Sequence, residues 1–321
     1  MLRMNASTRF LPPRRSRLER LRWQLLVVLV ALLGKPPIAL ANPVGPSAAP
    51  AVGTSGKSPT LRIAQAGWGN TDPRDLRVLL EAVAVELGSH FPGRELGNIR
   101  VIPGGFSPVV LYERGEDGEY VVQLAARDAR WYQFVYQFAH ELCHIHSNFD
   151  NKERVAGEVV SLNQWFEESV CEAAALYTLN RLAATWETAP PAAQWAAYAP
   201  TLRKYAEILR RAPHRHLPPN QTLANWFAER RPELRANPYL RDQGEVVSNL
   251  LLALFEQDPD DWAAIGYLNA DRADAAKSFK DYLEAWCLAC PDRHRHVVER
   301  IMLMFGMSPP AGPLFTAGTT G

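Results

Sequence analysis

The chain has 321 residues, 47% of them hydrophobic, and its 35 Lys and Arg face 34 Asp and Glu for a formal net charge of +1. That balance excludes a strongly basic surface for nucleic acid, while the length is enough for a substantial core. No segment repeats internally.

The first 41 residues carry eight Lys or Arg and one acid, then an apolar stretch over residues 25–33, then Ala39-Leu40-Ala41. This order predicts a secretory signal over 1–41 with cleavage before Asn42; an uncleaved membrane anchor is the competing reading, although the apolar stretch is short for a bilayer. The expected destination is therefore periplasmic or extracellular, or the outer face of a membrane. Without the segment, 27 bases face 33 acids, so the remaining chain is mildly acidic. Residues 42–60 are rich in Pro, Ala, Gly and Ser and predict a flexible linker.

Residues 61–182 predict an α+β half. Asp72-Pro73 reads as a helix cap followed by a first-turn proline, opening an amphipathic helix to Leu87. Short β-rich runs follow at 98–102, 108–113 and 119–125, the last two separated by a Gly115-Glu116-Asp117-Gly118 turn. The span 128–147 then predicts a helix with no internal Pro or Gly and with aromatic residues on several faces, hence a buried one. Within it stands His140-Glu141-Leu142-Cys143-His144. Histidines four apart lie one turn above each other on one face, so both imidazoles reach a single ion, while Glu141 beside them can act on a metal-bound water.

Catalytic zinc keeps three protein ligands and one position for water. The next helical span, 163–182, offers Glu168 and Glu172, which are four apart on one face of a largely apolar helix; their mutual repulsion calls for a cation. Glu168 as a metal ligand and Glu172 as an acceptor for the far nitrogen of a ligand histidine account for both charges. Glu167 points elsewhere and reads as a carboxylate near the positive end of a helix.

HELCH followed on the next helix by WFEESVCE resembles the gluzincin branch of the zincin metallopeptidases, over about residues 120–182. The resemblance implies that His140, His144 and Glu168 hold Zn2+, that Glu141 is the general base and that Glu172 stands behind a ligand histidine. Two positions depart from the pattern: Cys143, where small or apolar residues are common, and Glu172, where thermolysin-like members carry Asp. The implied fold is a zincin-like core, a small mixed sheet with the two ligand helices, in which Tyr120 to Leu124 is an edge strand that pairs with an extended peptide substrate. A plain sheet strand is the other reading. The same pentad, followed by Ser147 and Asp150, is also similar to the metzincin pattern with Asp150 as third ligand, Ser147 replacing the turn glycine and Asn148 supplying a left-handed turn instead.

Residues 183–308 predict a mostly helical C-terminal subdomain, broken at Pro190-Pro191, Pro213, Pro218-Pro219 and Pro232, with helices at 202–211, 223–229, 244–255, 278–289 and 295–305. Packed across the first half, it would leave a cleft. Residues 309–321 predict a disordered tail. Four cysteines in an exported chain suggest disulfides; Cys143 and Cys171 each stand three residues after a candidate ligand and are expected to pair, leaving Cys287 with Cys290. A structural zinc site of Cys287, Cys290, His294 and His296 is a sharper alternative, with a short spacing between the histidines. Candidates to steady an oxyanion are Tyr177, Tyr205, Tyr239, His214 and His216. The expected function is a zinc-dependent peptide-bond hydrolase acting on a peptide or protein; the alternative is an exported metal-binding protein with a binding or regulatory role.

Overall fold

Strand β1 (Thr60–Ile63) leads into helix α1 (Pro73–Gly88), which returns the chain to β2 (Asn98–Pro103) as a parallel neighbour of β1. Parallel pairing needs such a crossover, and α1 provides it by burying Leu76, Leu79, Leu80, Val83, Ala84 and Leu87 at helical spacing. Asp72 caps it as expected, accepting a hydrogen bond from the Arg74 N–H at 2.8 Å. This computed structural model describes residues 58–155, 158–159, 161–237 and 240–310. The expected signal segment, nearly all of the linker and the last residues of the expected tail lie outside those. The described residues belong to one compact unit. No helix among them is long and apolar enough to cross a membrane.

The sheet runs in the order β1-β2-β4-β3. Strand β3 (Val109–Val110) is much shorter than the run expected at 108–113, and it turns back through Gly115–Gly118 to β4 (Tyr120–Leu124). Gly118 takes φ +74° there, which glycine adopts without a side-chain clash, and its N–H donates to the Gly115 carbonyl at 3.0 Å. The expectation that Tyr120 to Leu124 form the edge is corrected: β4 lies between a parallel β2 and an antiparallel β3. Tyr120, Val121, Val122 and Leu124 are all buried, as a strand covered on both faces requires. The outer edge belongs to β3.

Helix α2 (Trp131–His146) begins three residues later than the pattern suggests. Asp128 and Ala129 are left-handed, at φ 59° and 53°, and the Asp128 carboxylate turns away to the Asn70 N–H at 3.2 Å. At the other end Asn148 does take the left-handed turn, at φ 56°. Arg94 clamps that end by donating to the Ile145 carbonyl at 3.1 Å and to Asn148 Oδ1 at 2.6 Å.

Helix α3 (Gln164–Thr188) runs well past Leu182 and packs against α2, α4 (Ala193–Arg210) and α6 (Arg241–Gln257). With neighbours on several sides it is apolar around most of its circumference. Helices α5 (Leu223–Ala236), α7 (Phe279–Ala289) and α8 (Asp292–Met304) complete the helical half, and a 3-10 stretch at Pro259–Tyr267 was not foreseen. Pro232 does not break α5; it sits on an exposed face, where the carbonyl it frees can meet water. Trp165 and Phe166, in the first turn of α3, stack among Phe227, Phe279 and Phe305, with centroids 4.8 to 6.2 Å apart. These rings anchor the end of α3 that carries Glu167 and Glu168.

Candidate metal centre

Helix α2 turns both pentad histidines toward α3, and there three side-chain atoms converge. His140 Nε2 lies 3.2 Å from His144 Nε2 and 3.1 Å from Glu168 Oε2, and His144 Nε2 lies 3.6 Å from Glu168 Oε1. Donors bound to one tetrahedral zinc at about 2.0–2.2 Å stand about 3.3–3.5 Å apart, so the spacing fits that ion. Among the described residues the same three form a group able to hold a metal.

The far nitrogens decide which atoms face inward. His144 Nδ1 lies 2.8 Å from Glu167 Oε1, so in the neutral ring the proton belongs on that side and Nε2 keeps its lone pair. His140 Nδ1 has no hydrogen-bond partner and faces Glu172 Oε2 at 3.7 Å. In a ring that binds an ion through Nε2, the proton sits on Nδ1, toward that carboxylate. Two bare ring nitrogens and a carboxylate then point at one small volume, an arrangement that a cation relieves.

Glu167 is therefore more than a helix-end charge: it is buried, and besides His144 it meets Lys152 Nζ at 2.7 Å and Asn269 Nδ2 at 2.9 Å. Burial alone would raise its carboxyl pKa, but the Lys152 ammonium and His144 reverse that and hold it at about 2. Glu172 adjoins His140 as expected, yet its hydrogen bonds come from the Tyr136 hydroxyl and from Arg215 Nη2, the latter at 2.7 Å. Glu141 is buried and its Oε2 accepts the Val110 N–H at 2.7 Å. Burial pushes its carboxyl up, against the pull of His140 and His144.

Charge balance gives a second test of fit. Glu141, Glu167, Glu168 and Glu172 cluster around the two histidines, and the buried cations among them are Lys152 and Arg215. These two cations are too few to balance four carboxylates, Arg215 being shared with Glu245 as well, and a divalent ion would offset the excess. His140, Glu141, His144, Glu167 and Glu172 are buried, whereas the Glu168 side chain is 31% exposed and meets solvent.

Other expected sites are not assembled. Asp150 pairs with Arg114 at 2.6 Å instead of joining the histidines, so the metzincin-like ligand set is set aside. No disulfide is present among the described residues: Cys143, Cys171, Cys287 and Cys290 are buried free thiols. Cys143 and Cys171 are neighbours across α2 and α3, where burial and then the Cys143 thiol push the Cys171 thiol well above its usual range. The Cys287, Cys290, His294 and His296 zinc site is not formed either, because His296 turns to Asp261 at 3.0 Å and His294 accepts from Arg293 at 2.9 Å. Of the oxyanion candidates, Tyr177 packs on His90 and Trp262, Tyr205 on Tyr132 and Tyr136, and His214 pairs with Glu245, while Tyr239 lies outside the described residues. Sequence reasoning missed Lys152, Arg215 and Asn269, which no periodic pattern marks. No protein-family model, curated protein or solved structure matches this chain.

Proposed function

We propose that the protein is a zinc-dependent peptide-bond hydrolase. The observation that carries this reading is Glu141: a buried carboxylate next to three convergent donors, with one oxygen fixed by a backbone N–H of the outermost strand. His140, His144 and Glu168 would hold the ion. Zinc bound there would acidify a water and polarise a carbonyl. Glu141 stands where it would take up a proton as general base and give it to the leaving amine, a task suited to a carboxyl whose pKa burial has raised. The Val110 N–H restrains the carboxylate so that the same group can take the proton up and give it back.

The Val110 N–H points away from β4, since the neighbouring Leu111 N–H is the one that donates to the Val121 carbonyl. The outer edge of β3 thus faces Glu141, whose carboxylate takes up the Val110 N–H, so an extended peptide would approach beside that edge rather than pair with it at Val110. The N-terminal sequence supports action outside the cytoplasm. Burial of Glu141, 4% exposed, favours the second reading, a metal-binding protein without hydrolysis. Zinc content and cleavage of a peptide library, measured for the wild type and Glu141→Gln, separate the two. Hydrolysis lost with zinc retained in the variant is the expected result; a zinc-loaded wild type that cleaves nothing would leave the binding role.

A further inference from the structure

Between α2 and α3 the chain places Lys152 in the interior, with its side chain only 2% exposed. Its ammonium has two contacts, Glu167 Oε2 at 2.7 Å and Gln164 Oε1 at 2.7 Å. Each contact leads one step further. Glu167 receives His144 Nδ1 at 2.8 Å, and Gln164 Nε2 donates to Glu168 Oε1 at 2.9 Å. One buried cation thus reaches two of the three candidate ligands, each through a single intervening side chain.

The Gln164 contact is directional. An amide has one accepting and one donating end, so an ammonium on Oε1 forces Nε2 toward Glu168. Were the amide reversed, its oxygen would confront the Glu168 carboxylate. Ser161 Oγ donates to the same Oε1 at 3.0 Å. The Glu167 contact is a matter of charge: a buried carboxylate is stable only when paired, and Lys152 supplies the pair that lets Glu167 stay ionised as the acceptor behind His144.

We infer that Lys152 is a positioning residue for the metal centre, setting His144 through Glu167 and Glu168 through Gln164. The inference rests on the metal-centre reading above and assigns Lys152 no contact with substrate. Partners behind metal ligands typically contribute 10- to 100-fold to affinity. Zinc affinity measured by competition with a chromophoric chelator tests it without reference to catalysis. Lys152→Met is expected to weaken zinc binding by roughly 10- to 100-fold, and adding Glu167→Gln, which removes the uncompensated charge but keeps an acceptor for His144, should recover the part of the loss that runs through Glu167 and not the part that runs through Gln164. General damage to packing would not be repaired by that second change. In the cobalt-substituted protein, Lys152→Met should also shift the visible ligand-field bands.

If Lys152→Met fails to fold, Gln164→Leu probes the other arm with Lys152 still paired to Glu167, and a loss of about tenfold is expected. A folded Lys152→Met with unchanged affinity overturns the inference while leaving the metal centre standing, as does unchanged affinity in Gln164→Leu. A wild type that binds no zinc removes both.

Discussion

Among the described residues three groups bring histidine and carboxylate together, around His140 and His144, around His214 and around His296, and the first differs from the last in how its donors are aimed. On α8, His296 Nε2 lies 3.0 and 3.2 Å from the two oxygens of Asp261, with half of its side chain in solvent. The pair satisfies itself, and water screens what charge remains. Between α2 and α3, by contrast, His140 and His144 turn their Nε2 atoms toward each other and toward Glu168, while carboxylates lie behind both rings. The lesson is that proximity of donors does not distinguish a metal site. Convergent lone pairs do, together with an excess of buried negative charge.

The largest expected effect breaks this contrast at its stronger end. His144→Ala should lower zinc affinity by at least 100-fold, whereas His296→Ala should leave zinc content unchanged, both read by metal analysis after dialysis. Equal loss in the two variants would erase the distinction. Next comes Arg215, whose Nη2 lies 2.7 Å from Glu172 and 2.9 Å from Glu245, all three side chains being buried. Arg215→Met removes the guanidinium from two buried carboxylates, leaving Glu172 to Tyr136 and Glu245 to His214, and should cost about 3–5 kcal/mol in urea unfolding. A cost as small as that of an exposed pair such as Arg210 with Glu256, at most about 1 kcal/mol, would show that the interior near the centre is wetter than its burial suggests.

The smallest effect concerns His146, which ends the pentad helix but serves no metal. Its ring stacks on Phe91 with centroids 3.8 Å apart, and neither nitrogen has a hydrogen-bond partner. Burial, then the nearby Arg94, holds its pKa well below the usual 6.5. The unfolded chain takes up a proton below about pH 6.5 that the fold refuses, so this contribution to stability is full above that pH. It is lost as pH falls, by about 1.4 kcal/mol per unit until the folded imidazole titrates. With metal removed by a chelator, His146→Phe should lose less stability than the wild type between about pH 7 and pH 5.5. An identical loss in both would place the acid sensitivity elsewhere.

What the sequence disclosed follows the range over which each signal acts. The cap at Asp72, the two ligand helices and the left-handed Asn148 are set by neighbours a few residues away, and all were legible. The placement of His140, His144 and Glu168 was legible too, since a four-residue spacing fixes a helix face. Strand order was not: nothing local to Tyr120 to Leu124 says that two residues near Val109 will cover its free side. The same limit hid Lys152, Arg215 and Asn269, which come from connecting segments without periodicity and act only after the chain has folded back on α3. Glu167 was misjudged for a related reason. Its helix position was clear, but its partners come from elsewhere in the chain.

The central claim is that one divalent ion belongs among His140, His144 and Glu168. An anomalous difference map at the zinc absorption edge, from crystals of the protein equilibrated with equimolar zinc, tests it directly. The account predicts a single strong peak about 2.0–2.2 Å from both Nε2 atoms and the Glu168 carboxylate. A map with no peak there, or with its strongest peak at His296 and Asp261, would contradict it.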